Sequence, residues 1–481
     1  MDSANHDHQH SPNRFGVIPT PVRLNANAEY TGKGVTIAFL DSGFYPHPDL
    51  VTPANRVVAY EDLGGRTSLS TDSVESWQWH GTQTSVAAAG NGQLSNGVYR
   101  ALAHEAKLVL VKASEGGRIT EENIARGIHW VIANRERYNI RVLNISLGGD
   151  EDVPCSQSIV DQAAEEAIRQ RIVVVAAAGN AGGEGRHSIP PANSPSVITV
   201  GGYTDHNRLN GNKLGLYQSN FGVTADGTVK PELVAPAMWV AAPILPGTKL
   251  YERAEALSRL AAAADYELPG LARELGKAAE LPERVMSSET TGIRAYVEQA
   301  LQQQKIVAAH YQHVDGTSFA APIVASIVAQ MIEANPNLTP GAVKNILVST
   351  ADRIVTESVI RQGYGVVNAG RAVELARTET HTLNVVGCKP PRVEDGQLVF
   401  VFHDDTADSV SVAGDFNGWS RVGTPLKRNG SGLWSTEIMV PGAGRLQYKF
   451  IINGQRWIED PSNGMKSPDN FGGLNSVVVI E

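Results

Sequence analysis

Three residues that lie far apart in this sequence carry the side-chain types needed for acyl transfer. Asp41 follows the apolar run Val35 to Leu40, while His80 and Ser318 each stand at the head of a segment of small residues. A carboxylate can orient an imidazole, which can take the proton of a hydroxyl that attacks a carbonyl carbon. A lone serine before a helix is more often an N-cap, so the prediction depends on the three occurring together.

The elements that must position these residues predict an α/β fold. Runs of strand length occur at 35–40, 107–112, 142–146, 172–176 and 197–201. Amphipathic segments, such as Thr120 to Arg135, lie between several of them. Strands that are apolar on both faces and alternate with helices along the chain form a parallel sheet whose two faces are covered by helices. Binding and catalytic sites of such sheets lie at the carboxyl ends of the strands. We therefore expect one edge of the sheet to carry Asp41, Ser146 to Gly148 and Gly179-Asn180.

The segment around Ser318 predicts a turn followed by a buried helix. Gly316 allows a sharp turn, and the residues from Phe319 to Val328 are almost all small or apolar. Pro322 is tolerated in the first turn of a helix but breaks its middle, so we expect the helix to begin near Phe319, with Pro322 in its first turn. Ser318 would then lie beside unpaired amide donors at the positive end of the helix dipole.

Several motifs resemble the signatures of the subtilisin-like serine proteases, the subtilases. They are Asp41-Ser42-Gly43, His80-Gly81-Thr82 and Gly316 to Pro322, in the order Asp, His, Ser. Connecting stretches also match, at 143–148, 176–180, 195–201, 230–236 and 363–368. The resemblance covers roughly residues 32 to 375 and implies a doubly wound parallel sheet with helices on both faces. It also implies a serine endopeptidase that acts on proteins or peptides and requires no cofactor. An α/β-hydrolase would run Ser, acid, His and is disfavoured.

The resemblance implies a role for each site residue. Ser318 would be the nucleophile, His80 its general base, Asp41 the residue that orients His80, and Asn180 an oxyanion donor with the Ser318 amide. Two strips would bind the substrate as an added strand; they are Ser146, Leu147, Gly148 and Ala177, Ala178, Gly179. The floor of the specificity pocket is expected near Ile189 to Asn193, where an inward Ile189 would exclude large P1 side chains.

The chain departs from the family pattern in two places. Residues 1–30 form an expected flexible extension, too short for the folding-assistant domain of secreted subtilases. This favours a cytoplasmic location, with secretion of a longer, processed chain as the alternative. Within the catalytic domain at 31–378, the region at about 245–308 predicts two or three inserted helices near the active-site rim. A plain structural insertion is favoured over a lid or a dimer contact.

Metal and cysteine chemistry receive weaker support from the sequence. Asp49 matches a family position that can bind structural calcium, with carbonyl oxygens from 91–97, although capping is the usual role of such an aspartate. Cys155 and Cys388 are far apart and predict neither a disulfide nor a zinc site. The histidines at 6, 8 and 10 are better explained as part of a disordered tail than as metal ligands.

After a linker at 379–392, residues 393–481 predict a small β-sandwich. Its predicted strands lie at 398–402, 409–413, 432–439, 446–452 and 476–480. Motifs around Trp419 and Trp457 resemble the glycogen-binding modules of AMP-activated protein kinase β subunits. The resemblance implies that both tryptophans stack on glucose rings while Lys449 and Asn475 bond hydroxyls. The alternative is that both tryptophans only fill the core.

The composition limits the remaining functional classes. The 481 residues carry a net charge of −9, without a dense Lys/Arg run, which argues against nucleic-acid binding. No apolar run predicts a membrane span or a signal peptide. A catalytically silent scaffold remains the alternative to a protease, although every catalytic position is filled. An enzyme that cleaves glucan itself is disfavoured, because no recognisable carboxylate pair is present.

Overall fold

The structure, a computed structural model, describes residues 16–65, 68–72, 74–149, 152–183, 187–209, 214–379, 391–394, 396–429, 432–442, 444–463, 466–469 and 473–480. The expectations for His6, His8, His10, Cys388 and most of the linker lie outside these residues.

The N-terminal domain is built on an eight-stranded sheet with the order β10-β6-β5-β4-β1-β3-β2, and β7 pairs with β6. All strands on this path are parallel, which confirms the predicted fold class. The strands of this domain are β1 (Thr36–Asp41), β2 (Val57–Asp62), β3 (Lys107–Lys112), β4 (Ile140–Ile145), β5 (Val173–Ala177), β6 (Ile198–Thr204), β7 (Gly215–Leu216), β8 (Gly222–Val223), β9 (Val229–Lys230), β10 (Leu233–Pro236), β11 (Val240–Pro243), β12 (Ile306–Ala308) and β13 (Tyr311–Val314).

Helices cover both faces of this sheet because its central strands are apolar on both sides. In β1, Ile37 and Phe39 enter one buried cluster, and Ala38 and Leu40 enter another. The helices are α1 (Thr20–Arg23), α2 (Pro48–Val51), α3 (Trp79–Ala89), α4 (Glu121–Tyr138), α5 (Ile159–Arg169), α6 (Lys249–Ala262), α7 (Leu268–Leu275), α8 (Glu283–Met286), α9 (Thr290–Gln303), α10 (Thr317–Ala334), α11 (Pro340–Thr350), α12 (Val359–Gln362) and α13 (Ala369–Thr378). Thr120, where the amphipathic segment was expected to begin, caps α4, because its hydroxyl accepts from the Asn123 amide.

The strand order reverses at β1, which lies between β3 and β4. Ligand sites of open parallel sheets lie at such a switch point, beyond the carboxyl ends of the strands. Asp41 is the last residue of β1 and therefore lies at that point.

The helix that carries Ser318 begins earlier than the sequence suggested. α10 starts at Thr317, so Pro322 is its sixth residue and lies inside the helix rather than in the first turn. The expectation was wrong because the hydroxyl of Ser146, just after β4, donates to the Ser318 carbonyl that Pro322 leaves without a donor. Among the described residues, α10 is long and apolar enough to cross a membrane, but 83% of it is buried within the protein.

The insertion contains four helices, α6 to α9, where two or three were predicted. They bury a cluster of their own, with Leu257, Leu260, Ile293 and Val297 at its centre. The apolar faces of these helices are thus buried within the insertion itself. The insertion begins after β11 and ends at β12 and β13, and β13 pairs antiparallel with both β11 and β12. β13 ends three residues before Thr317, so the insertion immediately precedes the Ser318 segment.

The C-terminal module consists of two antiparallel sheets with the orders β14-β15-β19-β18 and β17-β16-β20-β23-β22, with β21 beside β20. Its strands are β14 (Arg392–Glu394), β15 (Gln397–His403), β16 (Val410–Gly414), β17 (Thr424–Pro425), β18 (Lys427–Arg428), β19 (Leu433–Met439), β20 (Gly444–Ile452), β21 (Arg456–Ile458), β22 (Lys466–Pro468) and β23 (Leu474–Ile480). The predicted strands are all present. Phe400, Trp434, Tyr448 and Phe450 lie in the shared core.

The module contacts the N-terminal domain at the sheet edge opposite Asp41. The Tyr364 hydroxyl donates to the Asn463 carbonyl of the module at 3.0 Å. The Tyr364 amide donates to the carbonyl of Glu232, which immediately precedes β10. Because β10 runs parallel to the other strands, its start and the end of β1 lie at opposite edges.

Candidate active site

Asp41 and His80 form the best-defined pair at the carboxyl edge of the sheet. His80 Nδ1 lies 2.7 Å from Asp41 Oδ1. The same oxygen accepts from the Ser42 amide at 2.7 Å, and Oδ2 accepts from the Thr84 hydroxyl at 3.1 Å. The Asp41 side chain is buried, whereas 20% of the His80 side chain is exposed. This arrangement fixes the imidazole with Nδ1 towards the carboxylate and Nε2 free to face a substrate.

The surroundings of His80 shift its pKa upward. Burial alone would lower the pKa, but the charge of Asp41 and its hydrogen bond outweigh burial and raise it above 6.5. An imidazolium is thus stabilised, as a general base requires after it has taken a proton. Trp79 contacts the ring edge-on, with centroids 5.2 Å apart, and is 48% exposed.

Ser318 lies in the first turn of α10, and its backbone is tied to the strip after β4. Pro322 has no N–H to donate to the carbonyl of Ser318, four residues earlier. The Ser146 hydroxyl donates to that carbonyl instead, at 3.0 Å. This bond explains how a proline is tolerated inside the helix. It also joins a predicted substrate-strip residue to the predicted nucleophile.

Ser318 is half-buried. The ring of the next residue, Phe319, has its centroid 6.0 Å from that of the His80 imidazole, so the start of α10 lies beside His80. No hydrogen bond joins the Ser318 hydroxyl to His80 in this structure. Such bonds are often long in ligand-free sites and tighten when substrate binds.

Asn180 is oriented by Thr317, the residue before the predicted nucleophile. Asn180 Oδ1 accepts from the Thr317 amide at 2.8 Å and from its hydroxyl at 3.0 Å. The Gly179 amide donates to the same Thr317 hydroxyl at 3.1 Å. Because Asn180 Oδ1 accepts both of the bonds from Thr317, the side-chain NH₂ group of Asn180 remains available to donate to another acceptor. The predicted oxyanion donor is therefore fixed to the start of α10.

The two predicted substrate strips follow adjacent strands. Ser146 to Gly148 continue β4, and Ala177 to Gly179 end and continue β5. β4 and β5 are parallel neighbours, so the strips lie side by side.

Ile189 lies against the first strip. A Cβ built on Gly148 would be 2.9 Å from Ile189 Cδ1, and the Gly149 amide donates to the Pro190 carbonyl at 2.8 Å. The Ile189 side chain therefore packs on the Gly148 backbone, at the place where the specificity pocket was expected.

Asp49 does not fit the calcium expectation in this structure. Its Oδ2 accepts from the Tyr311 hydroxyl at 2.7 Å, and its Oδ1 accepts from the Leu94 amide at 3.2 Å. Burial and the charge of Asp49 raise the pKa of Tyr311, which therefore stays protonated and donates. In the described part of the chain, no group of three or more His, Cys, Asp or Glu side chains could hold a metal ion. A tyrosine from β13 takes the place at the carboxylate that a cation would need.

The four residues predicted to bind sugar lie on or beside the outer face of the β16-β20-β23 sheet. Trp419 Nε1 donates to Asp415, whose other oxygen accepts from the Gln447 amide. The side chain of Gln447 accepts from Asn475 at 3.1 Å. Residues Lys449 and Trp457 lie further along the same face, in β20 and in β21 beside it.

Neither candidate tryptophan fills the core of the module. Trp457 is 36% exposed and Trp419 is half-buried, whereas Trp434 is 6% exposed and lies in the core. Lys449 is paired with Asp469 at 2.7 Å, and Asn475 is largely buried. The outer face thus presents two aromatic rings with polar groups between them.

Sequence reasoning missed several residues that position the site. Thr84, Thr317 and Tyr311 each supply a hydroxyl to a site residue from a neighbouring element. For Thr84 a signal was available, because it stands four residues after His80 and shares its helix face. Tyr311 could not have been found, because 262 residues separate it from Asp49.

Comparisons with known proteins agree with this architecture. Residues 32–366 match the family model described as the subtilase family, Peptidase S8. Residues 385–465 match carbohydrate-binding module 48, the isoamylase N-terminal domain. The chain is similar to serine protease AprX of Bacillus subtilis (strain 168), with 31% identity over 351 residues, 71% of this chain and 67% of AprX. Subtilisin E of the same organism is 35% identical over 187 residues, 37% of this chain and 43% of that protein.

Solved structures show the same fold. A protease from Pseudoalteromonas arctica aligns over 77% of this chain and 96% of that one, with 22% identity and a TM-score of 0.50. Fervidolysin from Fervidobacterium pennivorans aligns over 93% of this chain and 58% of that one, with 18% identity and a TM-score of 0.52. The parallel sheet, the family match over most of the chain and the similarity to AprX together show that this protein belongs to the subtilase family of serine endopeptidases and carries a C-terminal module of the carbohydrate-binding module 48 type.

Proposed function

We propose that this protein hydrolyses peptide bonds through Ser318, His80 and Asp41 and forms an acyl-enzyme intermediate. The substrate strand pairs with the strips after β4 and β5, which brings its scissile carbonyl to the start of α10. His80 Nε2 takes the Ser318 proton as the hydroxyl attacks, and later gives it to the leaving amine. Asp41 stabilises the imidazolium through the 2.7 Å contact with Nδ1.

The tetrahedral intermediate carries a new negative charge on the former carbonyl oxygen. The NH₂ group of Asn180 and the Ser318 amide at the N-terminus of α10 would donate to this oxygen. Because Thr317 orients Asn180 before substrate binds, the side-chain amide of Asn180 needs little reorganisation to stabilise the transition state.

The observation that carries this proposal is the pairing of His80 with a fully buried Asp41, next to the helix start that bears Ser318. The test is labelling with a fluorophosphonate, followed by digestion of a peptide library, for the wild type and Ser318→Ala. We expect the wild type to label and cleave, and the variant to do neither. A wild type with an intact fold that neither labels nor cleaves would favour the silent scaffold.

The position of Ile189 supports a preference for small P1 residues. Its side chain packs on Gly148 of the strip after β4, and Ile189 begins the segment that is expected to form the pocket floor. A branched side chain there reduces the depth available to a substrate side chain. Alanine and similar residues would fit, and phenylalanine would fit poorly.

The module supports binding of an α-glucan such as glycogen. Flat indole faces suit the apolar faces of glucose rings, and Trp419 and Trp457 lie outside the core that Trp434 fills. Glycogen pull-down of the full chain tests this, comparing the wild type with a Trp419→Ala, Trp457→Ala variant. Retention of the wild type and loss of the variant are expected; equal retention or no retention would contradict binding at this face. Binding to glucan would bring the protease close to proteins that bind the same polymer.

A further inference from the structure

A cleft of about 400 Å³ separates the C-terminal module from two helices of the catalytic domain. Asn345 and Ser349 of α11 and Glu379, just after α13, line one wall. The other wall includes Lys449, Arg456 and Trp457 of the module. This volume falls in the range of roughly 300–1,000 Å³ that small-molecule sites occupy. Part of the outer face of the module, which carries the candidate sugar-binding residues, therefore lines this cleft, and the catalytic domain forms the opposite wall.

Contacts on both sides of the cleft hold its walls in a fixed relation. The Tyr364 hydroxyl, in the catalytic domain, donates to the Asn463 carbonyl, and Tyr364 is only 5% exposed. Arg456 Nη2 lies 3.4 Å from Glu379 Oε2 across the domain boundary. A ligand in the cleft would thus meet two walls that are already in place, which reduces the entropy lost on binding.

The chemistry of the lining suits an oligosaccharide. Trp457 presents an apolar face, and the side-chain amide of Asn345 offers donors and an acceptor. The Ser349 hydroxyl donates to the Ile346 carbonyl at 3.1 Å and offers its oxygen as an acceptor. Arg456 Nη1 has no hydrogen-bond partner among the described residues, although it is buried at the cleft. A sugar has apolar ring faces and hydroxyls around its rim, and so matches an aromatic platform flanked by such groups.

We propose that the two domains together form one α-glucan site, in which a chain stacked on Trp457 is also bound by Asn345 and Ser349 of the catalytic domain. This inference rests on the proposed glucan binding and extends it from the module to the whole protein. The cleft lies at the sheet edge opposite Asp41, so a bound glucan leaves the peptide groove open. Glucan would also tighten the contact between the domains, because it binds both.

The test is the affinity of the full chain for maltoheptaose, measured by calorimetry, and for glycogen, measured by affinity electrophoresis. Each lost neutral hydrogen bond weakens binding by about two- to tenfold, so Asn345→Ala with Ser349→Ala should weaken it about tenfold. Ser349→Arg should weaken it further by filling the cleft. Trp457→Ala should remove most binding. Glu374→Ala, on the exposed side of α13, is the matched control and should bind as the wild type does.

The outcomes separate this inference from the function it rests on. If Trp419→Ala abolishes binding while the α11 variants bind normally, the module binds glucan alone and the shared site is wrong. If the wild type binds neither probe, the proposed glucan function fails as well. Thermal melting of each variant guards against loss of fold. The inference also requires that maltoheptaose raise the melting temperature of the wild type more than that of Ser349→Arg.

Discussion

The catalytic edge and the outer face of the module both carry residues that motifs identify, but they are built differently. Asp41 has no exposed surface, and each of its oxygens accepts hydrogen bonds from neighbouring elements. Trp419 and Trp457 are partly exposed, and Trp419 donates one hydrogen bond from its Nε1 to Asp415. Chemistry that depends on fixed distances is enclosed by packed elements, whereas binding of a repetitive polymer uses exposed platforms. The expected mutational effects should differ in the same way.

The largest effect is expected at the enclosed pair. Asp41→Asn should keep the shape of the site but favour the wrong imidazole tautomer, so kcat should fall about 10⁴-fold. KM should change little, because Asp41 does not contact substrate. Steady-state kinetics on a peptide substrate measure this. A loss below tenfold would show that the buried carboxylate is not part of the reaction, and equal melting temperatures would exclude unfolding.

A matched pair of tryptophans tests the exposed platform. Trp434→Ala removes a core side chain and should destabilise the module by about 3–5 kcal/mol. Trp457→Ala should change its stability by roughly 0.5 kcal/mol or less, because the ring is partly exposed. Chemical denaturation followed by fluorescence compares them. Equal losses would place Trp457 in a structural role and weaken the contrast between the two regions.

Removing a single oxyanion donor should have a smaller effect than removing Asp41. Asn180→Ala should lower kcat about 10²- to 10³-fold, because the donor acts on charge that develops only in the transition state. Thr317→Val should give part of this loss, since it removes the hydroxyl that donates to Asn180 Oδ1 while the Thr317 amide still donates to it. If KM rises while kcat holds, Asn180 binds the ground state instead, and its proposed role is wrong.

Specificity should respond to Ile189 by a moderate factor. Ile189→Gly removes the side chain that packs on Gly148 and should raise kcat/KM for P1 Phe relative to P1 Ala by about tenfold or more. Matched peptides that differ only at P1 measure the ratio. Equal cleavage after Phe and after Ala by the wild type would remove the basis for this proposal.

The pH profile should show the smallest shift. His80 must be neutral to accept a proton, and its pKa is raised by Asp41 despite burial. Activity should therefore fall as pH decreases through a midpoint above the ordinary value of about 6.5. In Asp41→Asn the residual activity should have a lower midpoint, because the stabilising charge is gone. A midpoint that does not move would mean that another group titrates.

Strands and motifs could be read from the sequence because they depend on local patterns. β3 has the predicted bounds, and β1 and β5 differ by one residue. The start of α10 was misplaced because the Ser146 hydroxyl, from a distant strand end, replaces the hydrogen bond that Pro322 cannot make. The calcium expectation for Asp49 came from a local motif, whereas the Tyr311 hydroxyl that donates to Asp49 comes from β13, 262 residues later.

By itself the sequence determined the alternation of strands and helices and the residues proposed as acid, base and nucleophile, because both the apolar periodicity and the order of the motifs are local features of the chain. Only the tertiary structure decided which oxygens are already satisfied, which tryptophan fills the core and where the module docks. The physical reason is that hydrogen bonds and burial depend on groups hundreds of residues apart. Their distances exist only once the sheet and its helices have packed.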